Sequence, residues 1–139
     1  MIELSNVSKS YGPNELFSEL NLRLNSGNKI GLVGRNGSGK STLFKLILGE
    51  EQADSGEVMI PRNYKIGALK QYFDFTEKTL VDETALALAE DDKFSIYKVE
   101  IILFGLGFSH EDLEKEPKSF SGGYQIRINL AKLLLTEPN

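Results

Sequence analysis

The chain has no cysteine and only one histidine, His110. The first absence excludes a disulfide framework and any thiolate metal site, and the second excludes a histidine-rich one. No apolar run approaches the roughly 20 residues that a bilayer-spanning helix needs, so direct membrane insertion is not expected. The start, Met1-Ile2-Glu3-Leu4, lacks a basic stretch followed by an apolar core, which gives no secretory leader and a cytoplasmic expectation. Positive charge is in short supply. Sixteen Lys and Arg face 20 Asp and Glu, and a net charge of −4 argues against strong nucleic-acid binding by this segment alone. What is present, 40% apolar residues in a chain of 139, suits one globular domain with a real core.

The most informative stretch is Gly34-Arg35-Asn36-Gly37-Ser38-Gly39-Lys40-Ser41, followed by Thr42. It fits G-x-x-x-x-G-K-[ST], a phosphate-binding loop. Its flanks fit as well. Lys29 to Val33 reads as a short buried strand, and Ser41 to Leu48 as a helix with Leu43, Phe44, Leu46, Ile47 and Leu48 apolar, stopped by Gly49. The residue types follow from the task of wrapping a triphosphate in backbone N–H groups. Gly34, Gly37 and Gly39 permit conformations and close approach that a Cβ would block. The helix start adds free N–H groups and the positive end of the macrodipole. Lys40 supplies a point charge for the outer phosphates, and Ser41 a hydroxyl for Mg²⁺.

The rest of the chain is less explicit. Ile2, Leu4 and Val7 form a rough strand pattern, and Ser10 to Asn14 is a turn by composition. Leu20 to Leu24 alternates strictly and reads as a half-buried strand that turns at Asn25 to Asn28 into the loop strand. The first half therefore opens with antiparallel strands and enters an α/β unit. Tyr11, on the early turn, admits two readings: an aromatic that stacks on a base, or an amphipathic strand-end tyrosine. Glu57 to Ile60 and Lys65 to Leu69 read as two more strands around a turn at Pro61 to Asn63. Gln71, just beyond, is either a contact to a bound metal and its water or a solvated side chain.

Thr79 to Glu90 predicts a helix with Thr79 and Asp82 in capping-box spacing. Ser95 to Leu103 predicts a second, with Ile96, Val99, Ile102 and Leu103 on one side, after a charged link at Glu90 to Lys93. A short third helix is expected from Ser109 to near Pro117, with His110 an exposed residue at its start and no catalytic role. The last helix follows Ser119-Phe120-Ser121-Gly122-Gly123-Tyr124-Gln125. Ser121 is a good N-cap, and Ile126, Leu130, Leu133 and Leu134 are its expected apolar face, with Arg127 and Lys132 pointing elsewhere. Two glycines in a first turn cost helix stability but leave bare N–H groups at a dipole-positive end, a second anion site.

Ser-Gly-Gly-x-Gln-x-Arg-x-x-Leu-Ala-x-x-Leu-Leu, from Ser121 to Leu135, resembles the signature motif of ATP-binding-cassette (ABC) ATPases, and it follows the phosphate loop by about 80 residues. The wording Gly-Arg-Asn-Gly-Ser-Gly-Lys-Ser-Thr-Leu, Ile-Gly-Ala-Leu-Lys-Gln and Arg-Ile-Asn-Leu-Ala-Lys-Leu-Leu-Leu-Thr-Glu-Pro-Asn is most similar to the first cassette of the ABC-F subfamily. The resemblance covers the whole chain. It implies a P-loop fold of ABC type, with an antiparallel β edge, a parallel core and a helical subdomain. Residues 1–75 would be the ATP-binding core, 76–120 the helical subdomain and 121–139 the signature helix.

The resemblance further implies ATP and Mg²⁺ as cofactors, Tyr11 as the adenine-stacking aromatic, and residues 34–42 as the phosphate loop. Ser41 and Gln71 would lie near the metal. Ser121, Gly122, Gly123 and Gln125 would face ATP held by a second cassette, on the same chain or in a homodimer. ABC-F proteins carry two cassettes and in many cases act on the ribosome. The alternative is the ATP-binding subunit of a membrane transporter, docked on a transmembrane partner. Phe120 replaces the leucine usual before the serine. Only 50 residues separate Gln71 from Ser121, so the subfamily's long helical arm is expected to be absent or cut near Glu90 to Lys93. The family's Mg²⁺-binding Asp, catalytic Glu and switch His, expected beyond Asn139, are not in this sequence. The 139 residues are thus expected to be a partial cassette that binds nucleotide without turnover.

Overall fold

β1 (Ile2–Tyr11) is irregular for a reason visible in its sequence. Its buried positions are Ile2, Leu4, Val7 and Lys9, so the alternation slips by one residue in the middle. The slip is a bulge. Asn6 sits at φ 50, a left-handed value asparagine tolerates, and the pairing register shifts between Leu4 and Val7. Asn21 of the neighbouring strand closes it by accepting from the Asn6 backbone N–H at 2.9 Å and donating to Asn6 Oδ1 at 3.1 Å. β2 (Asn14–Leu24) and β3 (Ser55–Met59) flank β1 in an antiparallel sheet of order β2-β1-β3, with Leu4 opposite both Leu22 and Val58. Gly56 has to be glycine. It lies at φ 80, and a Cβ there would stand 2.2 Å from the Asn6 carbonyl oxygen.

The structure is a computed structural model that describes residues 1–70 and 72–139; Gln71 lies outside the described residues. It divides into two compact units, Met1–Tyr64 and Lys65–Asn139. The first holds the sheet and α1 (Lys40–Leu48), which buries Thr42, Leu43, Leu46 and Ile47. Phe44, another of the helix's apolar residues, is exposed. The second holds α2 (Leu80–Ala85), α3 (Ile96–Gly105) and α4 (Gly122–Leu135), with 3₁₀ turns at Glu90–Asp92, His110–Asp112 and Pro117–Ser119. Its core is Phe75, Leu80, Leu88, Val99, Leu103, Phe108, Leu113, Ile128 and Ala131. Phe120 is accommodated because its ring meets Phe108 edge-on at 5.4 Å.

Several expectations need correction. Lys29 to Val33 is not a strand, and Ile30 and Val33 are 58% and 94% exposed. A strand exists only with a hydrogen-bonded neighbour, and among the described residues none pairs with this segment. Lys65 to Leu69 is likewise not a strand; Lys65 instead bonds Asn139 through both its N–H and its carbonyl. The antiparallel edge of the expected fold is therefore formed, and these two segments, read as strands, are not paired among the described residues. The helix expected over Thr79 to Glu90 stops at Ala85, and the one expected after Ser109 is a single 3₁₀ turn closed by Asp112, which accepts from the Ser109 N–H at 2.8 Å. α4 buries Ile128 and Ala131, while Ile126 and Leu134 are exposed.

Lys132, expected to point outward, instead holds the second unit together. Its Nζ donates to Glu83 Oε1 at 2.5 Å, tying α4 to α2. Glu83 is fully buried, and its Oε2 accepts the backbone N–H of Thr76 at 2.8 Å and of Glu77 at 2.9 Å. Burial alone would raise the Glu83 carboxyl. The hydrogen bonds from Lys132 and from the Glu77 and Thr76 backbone outweigh it and hold the group below its usual value. A carboxylate so depressed contributes stability in full above its unfolded value of 4.5 and loses it as pH falls through the lower folded value. Removing the lysine strands a buried charge. Lys132→Ala should therefore cost about 3 kcal/mol at neutral pH in urea denaturation, and the deficit should shrink below that range. A cost that is negligible at neutral pH, or that grows on acidification, would contradict this role for Glu83.

Candidate functional site

The loop from Gly34 to Ser41 turns sharply into α1. The Ser38 N–H donates to the Arg35 carbonyl at 3.2 Å, and Gly37 and Gly39 lie at φ 81 and 89, inside the region L side chains avoid. Gly39 is the N-cap of α1. No side chain caps this end and no acidic residue occupies the first turn. The first N–H groups of the helix thus meet no competing side-chain acceptor. Lys40 Nζ folds back across the loop, donating to the Gly34 carbonyl at 2.7 Å and to the Arg35 carbonyl at 2.8 Å. An ammonium has three donors, and the loop carbonyls engage two. Ser41 is exposed at the helix start and Thr42 is buried beneath it.

These features fit a phosphate chain. Backbone N–H groups, one cation and a glycine cradle without Cβ atoms converge, and nothing stands within 4 Å of a Cβ placed at Gly37. Among the described residues there is no group of three or more His, Asp and Glu that could hold a metal on its own. A Mg²⁺ at this loop would take most of its ligands from the phosphates and water, with the Ser41 hydroxyl as a protein ligand. Gln71, the other residue expected near the metal, lies outside the described residues.

Tyr11 ends β1 and belongs to the same unit. It is 46% exposed, and its hydroxyl donates to Glu51 Oε1 at 2.5 Å. That hydrogen bond is the main reason its phenol is pushed above the usual value, with the Thr42 hydroxyl opposing the shift. The sequence reading missed Glu51. Its only signal there was a carboxylate just past the Gly49 stop.

In the second unit Ser121 takes the N-cap position of α4, but its hydroxyl caps nothing. The expected cap is thus one of position only, and the side chain is free and exposed. Gly122 and Gly123 are exposed, with nothing within 4 Å of a Cβ at either. Gln125 turns inward, donating from Nε2 to the Phe120 carbonyl at 2.8 Å and the Lys118 carbonyl at 3.3 Å, and so braces the segment before the helix. Arg127 stacks on Tyr124 at 4.6 Å and donates to the Leu106 carbonyl. His110 is exposed, edge-on to Phe104.

A glycine-cradled phosphate loop beside an antiparallel sheet, followed by a glycine-started helix on a helical unit, defines the nucleotide-binding domain of an ABC ATPase. Residues 17–139 match the family model described as ABC transporter, and the chain belongs to that family. It is 35% identical over 140 residues to the energy-dependent translational throttle protein EttA of Escherichia coli (strain K12), covering 96% of this chain and 25% of that protein. It is 29% identical over 182 residues to ABC transporter F family member 5 of Arabidopsis thaliana, covering 99% of this chain and 26% of that protein. The chain thus spans about a quarter of the length of these curated relatives. The second alignment is longer than the chain itself, so that relative carries a segment this chain lacks. Among solved structures, the dimeric post-hydrolysis state of the ATP-binding cassette MJ0796 bound to ADP and Pi superposes with a TM-score of 0.80 at 25% identity, over 99% of this chain and 71% of that one. Among the described residues no helix is long and apolar enough to cross a membrane.

The two cradle glycines with left-handed φ differ in one respect. A Cβ at Gly39 would lie 2.8 Å from Phe17 Cζ, whereas one at Gly37 meets nothing. Gly37→Ala should carry backbone strain alone, of more than about 1 kcal/mol. Gly39→Ala should cost measurably more, because the Phe17 ring must also move. Thermal unfolding of the two variants ranks them, and equal losses or a reversed order would refute the packing of Phe17 under the loop.

Proposed function

We propose that this chain binds ATP with Mg²⁺ through residues 34–42, as part of a cassette that hydrolyses ATP when paired with a second one. The observation that carries the proposal is the convergence of Lys40 Nζ and the uncapped start of α1 on one glycine loop. Gly34, Arg35, Asn36, Gly37, Ser38 and Gly39 would wrap the phosphates, Lys40 would bridge them, and Thr42 would support the first turn. Ser41 and Gln71 would serve the metal, and Tyr11 would stack on the adenine. The functional division proposed is residues 1–75 for the nucleotide, 76–120 for the helical subdomain and 121–139 for the signature. Within these 139 residues no group is assigned to position the attacking water, so the chain alone binds without turnover.

The free Ser121 hydroxyl and the exposed Gly122 and Gly123 support a role toward a second nucleotide, with Gln125 bracing them. The same chain already has one complete cradle, so a second is redundant unless it faces ATP on another cassette. The MJ0796 cassette is dimeric. ATP would join two such faces and hydrolysis would release them, a population shift set by one phosphate. The likeness to EttA favours a cytoplasmic ABC-F protein acting in translation, with the ribosome as partner. The alternative, the ATP-binding subunit of a transporter, is favoured by the exposed Tyr97, Ile101 and Phe104 on α3, an apolar stripe of the kind that seats on a transmembrane partner.

Lys40→Ala removes a charge-assisted contact worth roughly 1.5–3 kcal/mol. Calorimetry should therefore show nucleotide affinity falling about tenfold or more. In the full-length protein, Ser121→Arg with Gly123→Asp should leave ATP binding to each isolated cassette intact while ATP-dependent pairing and hydrolysis are lost. Equal affinity for the Lys40 variant would sink the loop reading. Normal pairing in the double variant would reduce Ser121 to Gly123 to a helix start.

A further inference from the structure

Tyr11 is exposed and yet heavily tethered. Its hydroxyl ends on Glu51 Oε1 at 2.5 Å, and the same oxygen receives Lys9 Nζ at 3.2 Å. The Lys9 ammonium also stands 5.3 Å from the centroid of the Tyr11 ring, over its face. Lys9 is nearly buried, and it is fixed from behind by the Gln52 carbonyl at 2.8 Å and Asp54 Oδ1 at 3.5 Å. Asp54 is fixed in turn, because its Oδ2 accepts the Ser10 N–H at 2.7 Å and its own N–H donates to the Ser8 carbonyl.

Two backbone features assemble this cluster. Lys9 and Tyr11 are two residues apart on β1, so strand geometry puts them on one face. Gly49 ends α1 at φ 72, and the Glu50 and Glu51 N–H groups both return to the Lys45 carbonyl, which swings the Glu51 side chain back toward the strand. An untethered surface ring would hop between rotamers on the picosecond-to-nanosecond scale. Here one end and one face are occupied, so the face away from Lys9 is the one left for a ligand. The hydrogen bond to Glu51 also keeps the phenol protonated by raising it, while the carboxyl is lowered, chiefly by the same bond.

We propose that Glu51, together with Lys9, is a positioning residue for nucleobase recognition, locking the Tyr11 ring with one face on the ammonium and the opposite face presented to the adenine. This rests on the reading of Tyr11 as the base-stacking residue. Preorganisation of this kind raises affinity by removing the cost of ordering the ring at the moment of binding. It acts on the base and not on the phosphates, and that separates it from a merely structural role.

The test is calorimetric titration of the protein with ATP and, separately, with inorganic tripolyphosphate, which has no base. Tyr11→Ala and Glu51→Ala should each weaken ATP by about three- to tenfold while leaving tripolyphosphate within about twofold of the parent. Glu51→Gln keeps an acceptor for the hydroxyl and should recover most of the ATP affinity. Full ATP affinity in Glu51→Ala, with Tyr11→Ala weakened, would overturn the positioning role and leave the stacking intact. Full affinity in Tyr11→Ala would overturn both. A parallel loss of tripolyphosphate in Glu51→Ala would show that the residue supports the loop and not the ring, and a glutamine variant as weak as the alanine one would show that the hydroxyl tether is not the means.

Discussion

A loop that presents several backbone N–H groups to one anion, the role proposed for residues 34–42, cannot satisfy them internally, and the turn at Gly39 has the form that role requires. At φ 89 the backbone leaves the loop and enters α1 with no side chain across the helix start. A capping serine or aspartate would have stabilised the helix by about 1 kcal/mol and blocked the ligand. The chain forgoes that gain and steadies the turn from outside, with Phe17 and Leu16 of β2 lying against Gly39. Lys40 supplies the compensating charge and is held over the loop by two carbonyls. The hairpin of β1 and β2 therefore matters less as a sheet than as the wall that positions Gly39 on one side and Tyr11 on the other.

The second unit solves a different problem. Its helices are short, and α2 has only six residues, too few to be stable without tertiary support. That support is partly polar. The N–H groups of Leu80 and Val81 donate to the carbonyls of Lys115 and Leu113, and Glu83 gathers the chain at Thr76 and Glu77 together with Lys132 of α4. The signature helix is thereby linked through one buried carboxylate to the segment that follows Gln71. A cluster of Phe108, Phe120 and Tyr124 closes the other side and sets the direction in which α4 starts.

How much of this was legible in the sequence depends on the range of the interactions involved. The glycine turn at Gly37 and Gly39, the helix after it and the glycine-started α4 were readable because each is written in contiguous residue types. β1 was readable only as a rough pattern, since the irregular spacing of Ile2, Leu4 and Val7 encodes a bulge that needs Asn21 and Gly56 to complete it. Lys29 to Val33 and Lys65 to Leu69 carry strand-like residues, but composition does not supply a ladder partner. The face of α4 was misjudged because its large apolar residues lie on both sides, and the buried position that matters most, Ala131, is small. Glu51 and Glu83 could not be found by pattern at all, because their partners Tyr11 and Lys132 lie 40 and 49 residues away.

The central claim is that the backbone from Gly34 to Ser41 is the phosphate site and that Tyr11 meets only the base. Amide and aromatic NMR shifts, followed during titration with ATP and then with inorganic tripolyphosphate, test it directly. The account requires both ligands to move the N–H signals of Gly37, Gly39, Lys40 and Ser41, and only ATP to move the Tyr11 ring. Unmoved loop amides, or a Tyr11 ring that responds equally to the ligand without a base, would contradict it.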